Sequence, residues 1–271
     1  MSYILATTDF SAVSDNSLQY AAALARHMGM PLTLLHSFIM PAMFSDVTIP
    51  ASLIDDTRTD AVEKMAAISK ELVAGHPKLA VEEEVLYGAF TECIEQIAKD
   101  KGQPFVVVMG NSNTNEDASW LLSTLRTAHK NISVPILAIP IESKWNGVNR
   151  ICFAADVEQQ EQTTVLNTVA TLAIQLKARL HVLNVQEDAS LHDESYDFGE
   201  QTKTILRAVG GQFHYRHNSD VDSGIREFCA VEYIDWLILT PGKYSFLEKI
   251  FHQSHTKALA NTVEIPLLIV H

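Results

Sequence analysis

Tyr3-Ile4-Leu5-Ala6-Thr7-Thr8-Asp9 and Ile151-Cys152-Phe153-Ala154-Ala155-Asp156 are the two stretches on which the fold turns. Each is a short apolar run closed by an aspartate, and three more apolar runs follow in the same order in both halves. Leu32-Thr33-Leu34-Leu35-His36-Ser37 matches Leu180-His181-Val182-Leu183-Asn184-Val185. Phe105-Val106-Val107-Val108-Met109-Gly110 matches Trp236-Leu237-Ile238-Leu239-Thr240-Pro241. Val134-Pro135-Ile136-Leu137-Ala138-Ile139 matches Ile265-Pro266-Leu267-Leu268-Ile269-Val270. By subtraction, Asp9 and Asp156 stand 147 residues apart and Pro135 and Pro266 only 131, so the second copy has lost about 16 residues from its middle. A single pair of such runs carries little weight. Four in one order, with Asp closing the first and Pro opening the last, mark an internal duplication.

Each run is short, rich in β-branched residues and almost continuously apolar, which is the pattern of a strand buried on both faces of a parallel sheet. Helical periodicity lies between the runs. Leu18, Ala21, Ala22 and Ala25 recur at helical spacing, with Ser11 or Ser14 as N-cap and Gly29 as stop. Ile94, Ile97 and Ala98 form a second stripe that ends near Gly102, and Phe246, Leu247, Ile250 and Phe251 form another in the second copy. Strands alternating with helices call for βαβ units with right-handed crossovers. The expected architecture is α/β: two tandem doubly wound domains, each with five parallel strands and helices on both faces. The boundaries are set at residues 1–142 and 147–271, because the polar, glycine-containing stretch from Ile141 to Asn149 separates the last strand of one copy from the first of the next. So short a joint holds the copies close, and a pseudo-twofold pairing of the two is expected.

The formal charge of −13 argues against nucleic acid or an anionic membrane as the main partner, since both need a basic face. A small anionic ligand is still allowed, because helix N-termini and loop amides hold phosphate without net positive charge. No apolar run approaches the roughly 18 residues of a membrane span. The N-terminus has no basic region of the kind a secretory signal carries. Cys93, Cys152 and Cys229 are too few and too scattered for a disulfide framework, which points to a reducing cytoplasm.

The run Ile4 to Ser11, ending Asp9-Phe10-Ser11, resembles the first strand of universal stress proteins. Val106 to Gly110 resembles their fourth strand, Ser133 to Pro140 their fifth, and Ser245 to Ser254 the fourth-helix segment of tandem members. The resemblance implies a flavodoxin-like sheet of order 3-2-1-4-5. It also implies a site at the carboxyl ends of the strands, where the order switches. In nucleotide-binding members of that family, the Asp after the first strand recognises adenine. A Gly-x-x-Gly-x9-Gly-Ser/Thr loop after the fourth strand wraps the phosphates. By this carry-over the candidate residues for ATP or another adenine nucleotide in domain 1 are Asp9, Gly110, Asn111, Asn113, Ser123 and Thr124. The match departs from the family pattern. Gly110 takes the first glycine place, but Asn113 and either Leu122 or Ser123 fall on the other two, and Glu116 and Asp117 bring carboxylates into the loop. In the second copy Pro241 removes an amide, and Gln253 stands before Ser254 where the last glycine belongs.

Asp9 and Asp156 serve either as ligand contacts or as caps of the helix that follows. His252 and His255 share a helical face but read as solvated. His214 and His217 have the same spacing near a strand, where residues three apart point to opposite faces, so they should not chelate. His192, Asp193 and Glu194 read as polar loop. The apolar run Met40-Pro41-Ala42-Met43-Phe44 reads as a flap or as a loop folded on its own core. No hydrolase elbow, Walker or dinucleotide fingerprint is present. The leading expectation is a non-enzymatic cytoplasmic stress-response protein that acts through a protein partner or a small ligand, as a monomer or a homodimer. An ATP-binding switch using the domain 1 pocket is one alternative, and a nucleotide-dependent hydrolase or transferase is another.

Overall fold

The computed structural model describes residues 2–39, 51–111, 134–155, 162–186, 199–240 and 265–270. The Met40–Phe44 run, Asp156, the His192–Glu194 cluster, the stripe from Phe246 to Phe251, His252 and His255 lie outside them. The described residues fall into two compact units, one ending at Trp145 and the other beginning at Asn146.

Unit 1 runs β1 (Ile4–Thr7), α1 (Ala12–Met28), β2 (Leu32–Phe38), α2 (Ala51–Gly75), β3 (Val81–Tyr87), α3 (Phe90–Lys101), β4 (Val106–Asn111) and β5 (Ile136–Pro140). Its strands are all parallel and lie in the order β3-β2-β1-β4-β5. Unit 2 runs β6 (Arg150–Ala154), α4 (Gln162–Leu176), β7 (Arg179–Gln186), α5 (Gly199–Ala208), β8 (Gln212–His217), α6 (Val221–Val231), β9 (Trp236–Leu239) and β10 (Leu267–Ile269). Its parallel order is β10-β9-β6-β7-β8. All eight apolar runs read from the sequence are strands. Among the described residues, no helix is long and apolar enough to cross a membrane.

The shortening of the second copy has a definite place. Residues 39–80 separate β2 from β3, but only residues 187–211 separate β7 from β8. The other described crossovers of the two units have equal lengths: residues 8–31 match 155–178, and residues 88–105 match 218–235.

The central strands are buried throughout: Ile4, Leu5 and Ala6 of β1, and Ile151 and Cys152 of β6, have no accessible surface. Burial on both faces is what the unbroken apolar runs record. Strands β3 and β8 differ. In β3, Val85 is buried while Glu82 and Glu83 are exposed, and the Nζ of Lys101 sits 2.7 Å from both Glu82 Oε2 and Glu84 Oε1.

Helix α1 starts and stops as its sequence dictates. The Ser11 Oγ accepts the amide of Ser14, and Gly29 takes the left-handed conformation at φ 66° that closes the last turn. Ser11, not Ser14, is therefore the cap. Asn16 of α1 then fastens the exit of β5. Its Nδ2 donates to the carbonyls of Pro140 (3.1 Å) and Ser143 (2.9 Å), and its Oδ1 accepts from Lys144 Nζ at 2.7 Å. Leucine here would remove all three bonds, although the Pro140 carbonyl keeps the amide of Ser143. Asn16→Leu is expected to lower the stability of unit 1 by about 2 kcal/mol. Chemical denaturation followed by circular dichroism checks this, and an unchanged unit 1 transition would show the three bonds to be dispensable.

Candidate functional site

The order of strands in unit 1 reverses between β1 and β4, so a crevice at their carboxyl ends is the natural ligand position of this architecture. Four residues beyond β1 build its floor. The Thr8 Oγ1 lies 2.9 Å from Ser14 Oγ and also accepts the amide of Phe10 at 2.9 Å. The amide of Ser11 donates to Asp9 Oδ1 at 2.9 Å. These bonds hold Phe10 at φ 66°. A bulky side chain in the left-handed region is an outlier that costs on the order of 1 kcal/mol or more.

Asp9 is exposed, and it neither ends the strand nor caps the helix: β1 stops at Thr7 and Ser11 is the cap. Partial burial pushes its pKa up, but hydrogen bonds from the hydroxyl and amide of Ser11, with Ser14 adding to them, outweigh this and hold the carboxyl below the usual aspartate range. Asp9 is therefore an ionised acceptor at neutral pH.

Beside it stands a group of rings. The Phe10 ring packs on His36 with centroids 4.3 Å apart, and the Lys64 ammonium of α2 stands 5.4 Å from the Phe10 ring centre. His36 and Phe38 alternate onto one face of β2 and stack at 6.2 Å, and Phe38 meets its cross-strand neighbour Tyr87 edge-on at 5.6 Å. The His36 Nδ1 is 2.8 Å from the carbonyl of Thr8, which ties the end of β2 to the segment carrying Asp9. Tyr87 is 55% exposed, so the series runs from a covered ring to an open one. The sequence reading did not include Phe10, His36, Phe38 or Tyr87 in the site. The signal available was the alternation His36-Ser37-Phe38, which departs from the apolar run just where β2 reaches its carboxyl end.

Gly110 and Asn111 are inside β4, paired with Ile139 and Pro140 of β5. A Cβ on Gly110 would lie 2.8 Å from both Val13 Cγ1 and the Val13 carbonyl oxygen, so this glycine lets α1 approach the end of β4. Asn111 is buried, and its carbonyl accepts the amide of Ile141. Asn113, Ser123 and Thr124, with Glu116, Asp117 and Leu122, lie outside the described residues. The structure thus brings together Asp9 and the rings at the ends of β1, β2 and β3.

The equivalent corner of unit 2 is built differently. Ala155 replaces Thr8, and the amide of Asn184 closes its carbonyl at 3.1 Å where His36 closes that of Thr8. A cavity of about 890 Å³ also opens on unit 1, along α1 and the end of α2, near Tyr20, Arg26, His76 and Trp145. It shares no residue with Asp9 or the rings and is lined by α1, the end of α2 and residues 143–145, away from the strand ends, which remain the better site on the physics of the fold. Among the described residues, no cluster of three or more His, Cys, Asp or Glu is arranged to hold a metal ion.

The model of the universal stress protein family matches residues 1–140. Over 99% of its length the chain is similar to a universal stress protein from Archaeoglobus fulgidus DSM 4304, with a TM-score of 0.67, 15% identity and 95% of that chain covered. It is similar over 99% of its length to a universal stress protein from Pseudomonas aeruginosa UCBPP-PA14, with a TM-score of 0.55, 13% identity and 92% of that chain covered. At these identities the likeness is one of fold. No curated protein matches the chain.

Proposed function

We propose, from the premise that the chain belongs to the universal stress protein family, that it is a non-enzymatic ligand-binding protein whose unit 1 takes a ring-bearing ligand of the adenine nucleotide class. The observation that carries the reading is the ring group of Phe10, His36, Phe38 and Tyr87 set beside an ionised Asp9 at the strand ends. Planar bases stack on such rings for about 1–3 kcal/mol each, and a carboxylate fixed by Ser11 accepts from an exocyclic amine or a ribose hydroxyl. Recognition suits this carboxylate better than catalysis. Its lowered pKa keeps it from donating a proton near neutrality.

In this reading the protein acts through a partner that distinguishes its bound from its empty state. The buried free thiols of Cys93, Cys152 and Cys229 agree with a reducing, cytoplasmic setting.

The test is calorimetric titration of the full-length protein with ATP and magnesium, and with AMP. Saturable binding is expected, weakened about tenfold or more in Asp9→Ala for the loss of one charge-assisted hydrogen bond of about 1.5–3 kcal/mol. No binding up to millimolar nucleotide, or equal binding by the variant, would overturn the reading. ATP hydrolysis lost in Asp9→Ala would replace it with an enzyme.

A further inference from the structure

Unit 2 contains two imidazoles in direct contact inside its sheet. His181 lies in β7, 1% exposed, where its neighbours Leu180, Val182 and Leu183 are all buried. His214 lies in β8, diagonally across from it on the same face. The His181 Nδ1 is 3.0 Å from His214 Nε2, and the rings stack with centroids 5.1 Å apart at 16°. Phe228 of α6 covers both, 6.0 Å from His181 and 4.7 Å from His214. The remaining His181 nitrogen, Nε2, is buried without a hydrogen-bond partner.

The contact holds while one of the two facing nitrogens carries a proton and the other a lone pair. One added proton on an outer nitrogen leaves that bond but puts a charge into a buried site, and a proton on each ring sets two N–H groups against each other and removes the bond. The surroundings add to this. Cys152 of β6 stands opposite His181 in the register. Arg150 of β6 and Arg179 of β7 disfavour charge on His181, and Arg216 of β8 disfavours it on His214. Arg216 also stands 5.7 Å from the Phe228 ring centre. Among the described residues, only Glu232, just beyond α6, acts the other way on both. From α6 itself the pair meets the Phe228 ring.

We propose that the His181–His214 pair makes unit 2 an acid-sensitive half of the chain, in which proton uptake releases α6 from β7 and the edge strand β8. Burial lowers the pKa of both histidines, first by loss of solvent and then by the charges named. The sign follows by linkage. The open form binds more protons than the closed form below the ordinary histidine pKa of about 6.5, so closure is complete above that pH and weakens as pH falls below it. Each proton taken up only on opening shifts the equilibrium by up to about tenfold per pH unit.

The experiment is hydrogen exchange by mass spectrometry on the full chain at about pH 7.5 and about pH 5.5, to either side of the histidine range, corrected for intrinsic exchange. Amides of β7, β8 and α6 are expected to lose about tenfold or more in protection at the lower pH. Those of β1, β2 and β4 should not. His214→Phe, which keeps a ring against Phe228 but leaves His181 buried, should shrink the difference, and His181→Phe combined with His214→Phe should abolish it. If that variant does not fold, the wild-type comparison decides. Equal protection at both pH values, uniform loss across both units, or full loss retained in the variant lacking both histidines would each overturn the proposal.

Discussion

Replacing Trp236 by alanine is expected to lower the stability of unit 2 by about 3–5 kcal/mol, the range for deleting a buried aromatic side chain. Trp236 is 1% exposed and sits in β9, which is paired with β6 on one side and β10 on the other. Its register neighbour is Ile151, and that of Ile151 is Leu180, so the three form one row across three strands, all at most 1% exposed. Strands held from both sides cannot close on a void without breaking their ladders, so the cavity term stays with the transfer term. A domain of this size has about 5–15 kcal/mol in all, which leaves unit 2 marginal. Urea denaturation of the full chain, read by hydrogen exchange in each unit, should show the unit 2 transition move and that of unit 1 stay. A loss below about 1 kcal/mol would mean that the sheet collapses around the missing indole.

The second large effect is expected at Gly110. Gly110→Val places a branched side chain where a Cβ alone would be 2.8 Å from the Val13 carbonyl oxygen and 3.0 Å from its carbon. A side-chain obstacle turns aside, but a main-chain one moves only with α1. Overpacking usually costs about 1–3 kcal/mol, and the backbone clash puts this variant at the upper end or beyond. The measurement is the stability of unit 1 in denaturant, with Gly110→Ala as the milder member of the series. The two roles of this glycine separate cleanly. If its purpose is to let phosphate approach, both variants will be stable but will bind nucleotide less. If its purpose is to admit α1, both will be unstable, and alanine at 110 will keep the nucleotide affinity of whatever fraction folds.

The fold was legible because its central strands are buried on both faces, which writes itself as unbroken apolar runs such as Val106-Val107-Val108-Met109. The edge strands were harder. Val81-Glu82-Glu83-Glu84-Val85 and Gln212-Phe213-His214-Tyr215-Arg216 are half solvated, and neither is a continuous apolar run. Asp9 was legible through its place after β1. Its ring companions come from three strands separated by dozens of residues, and periodicity does not report which strand ends meet. Gly110 was read as the first glycine of a loop after the fourth strand but lies inside β4, and its neighbour Val13 belongs to another element. The histidines illustrate the same limit. Strand spacing set His214 and His217 on opposite faces, but it did not report that His214 meets His181, diagonally across the ladder and 33 residues earlier.

The glutamates of β3 have a consequence for the molecule when it is abundant. An open sheet margin offers main-chain donors and acceptors to any extended segment that drifts past, including the same margin of a sister molecule. Here such an encounter brings Glu82, Glu83 and Glu84 against their own copies, with Lys101, among the described residues, paired to Glu82 and Glu84 on each side. Like charges facing each other across a nascent ladder oppose it. The charge along this margin thereby keeps it from serving as a template for such pairing.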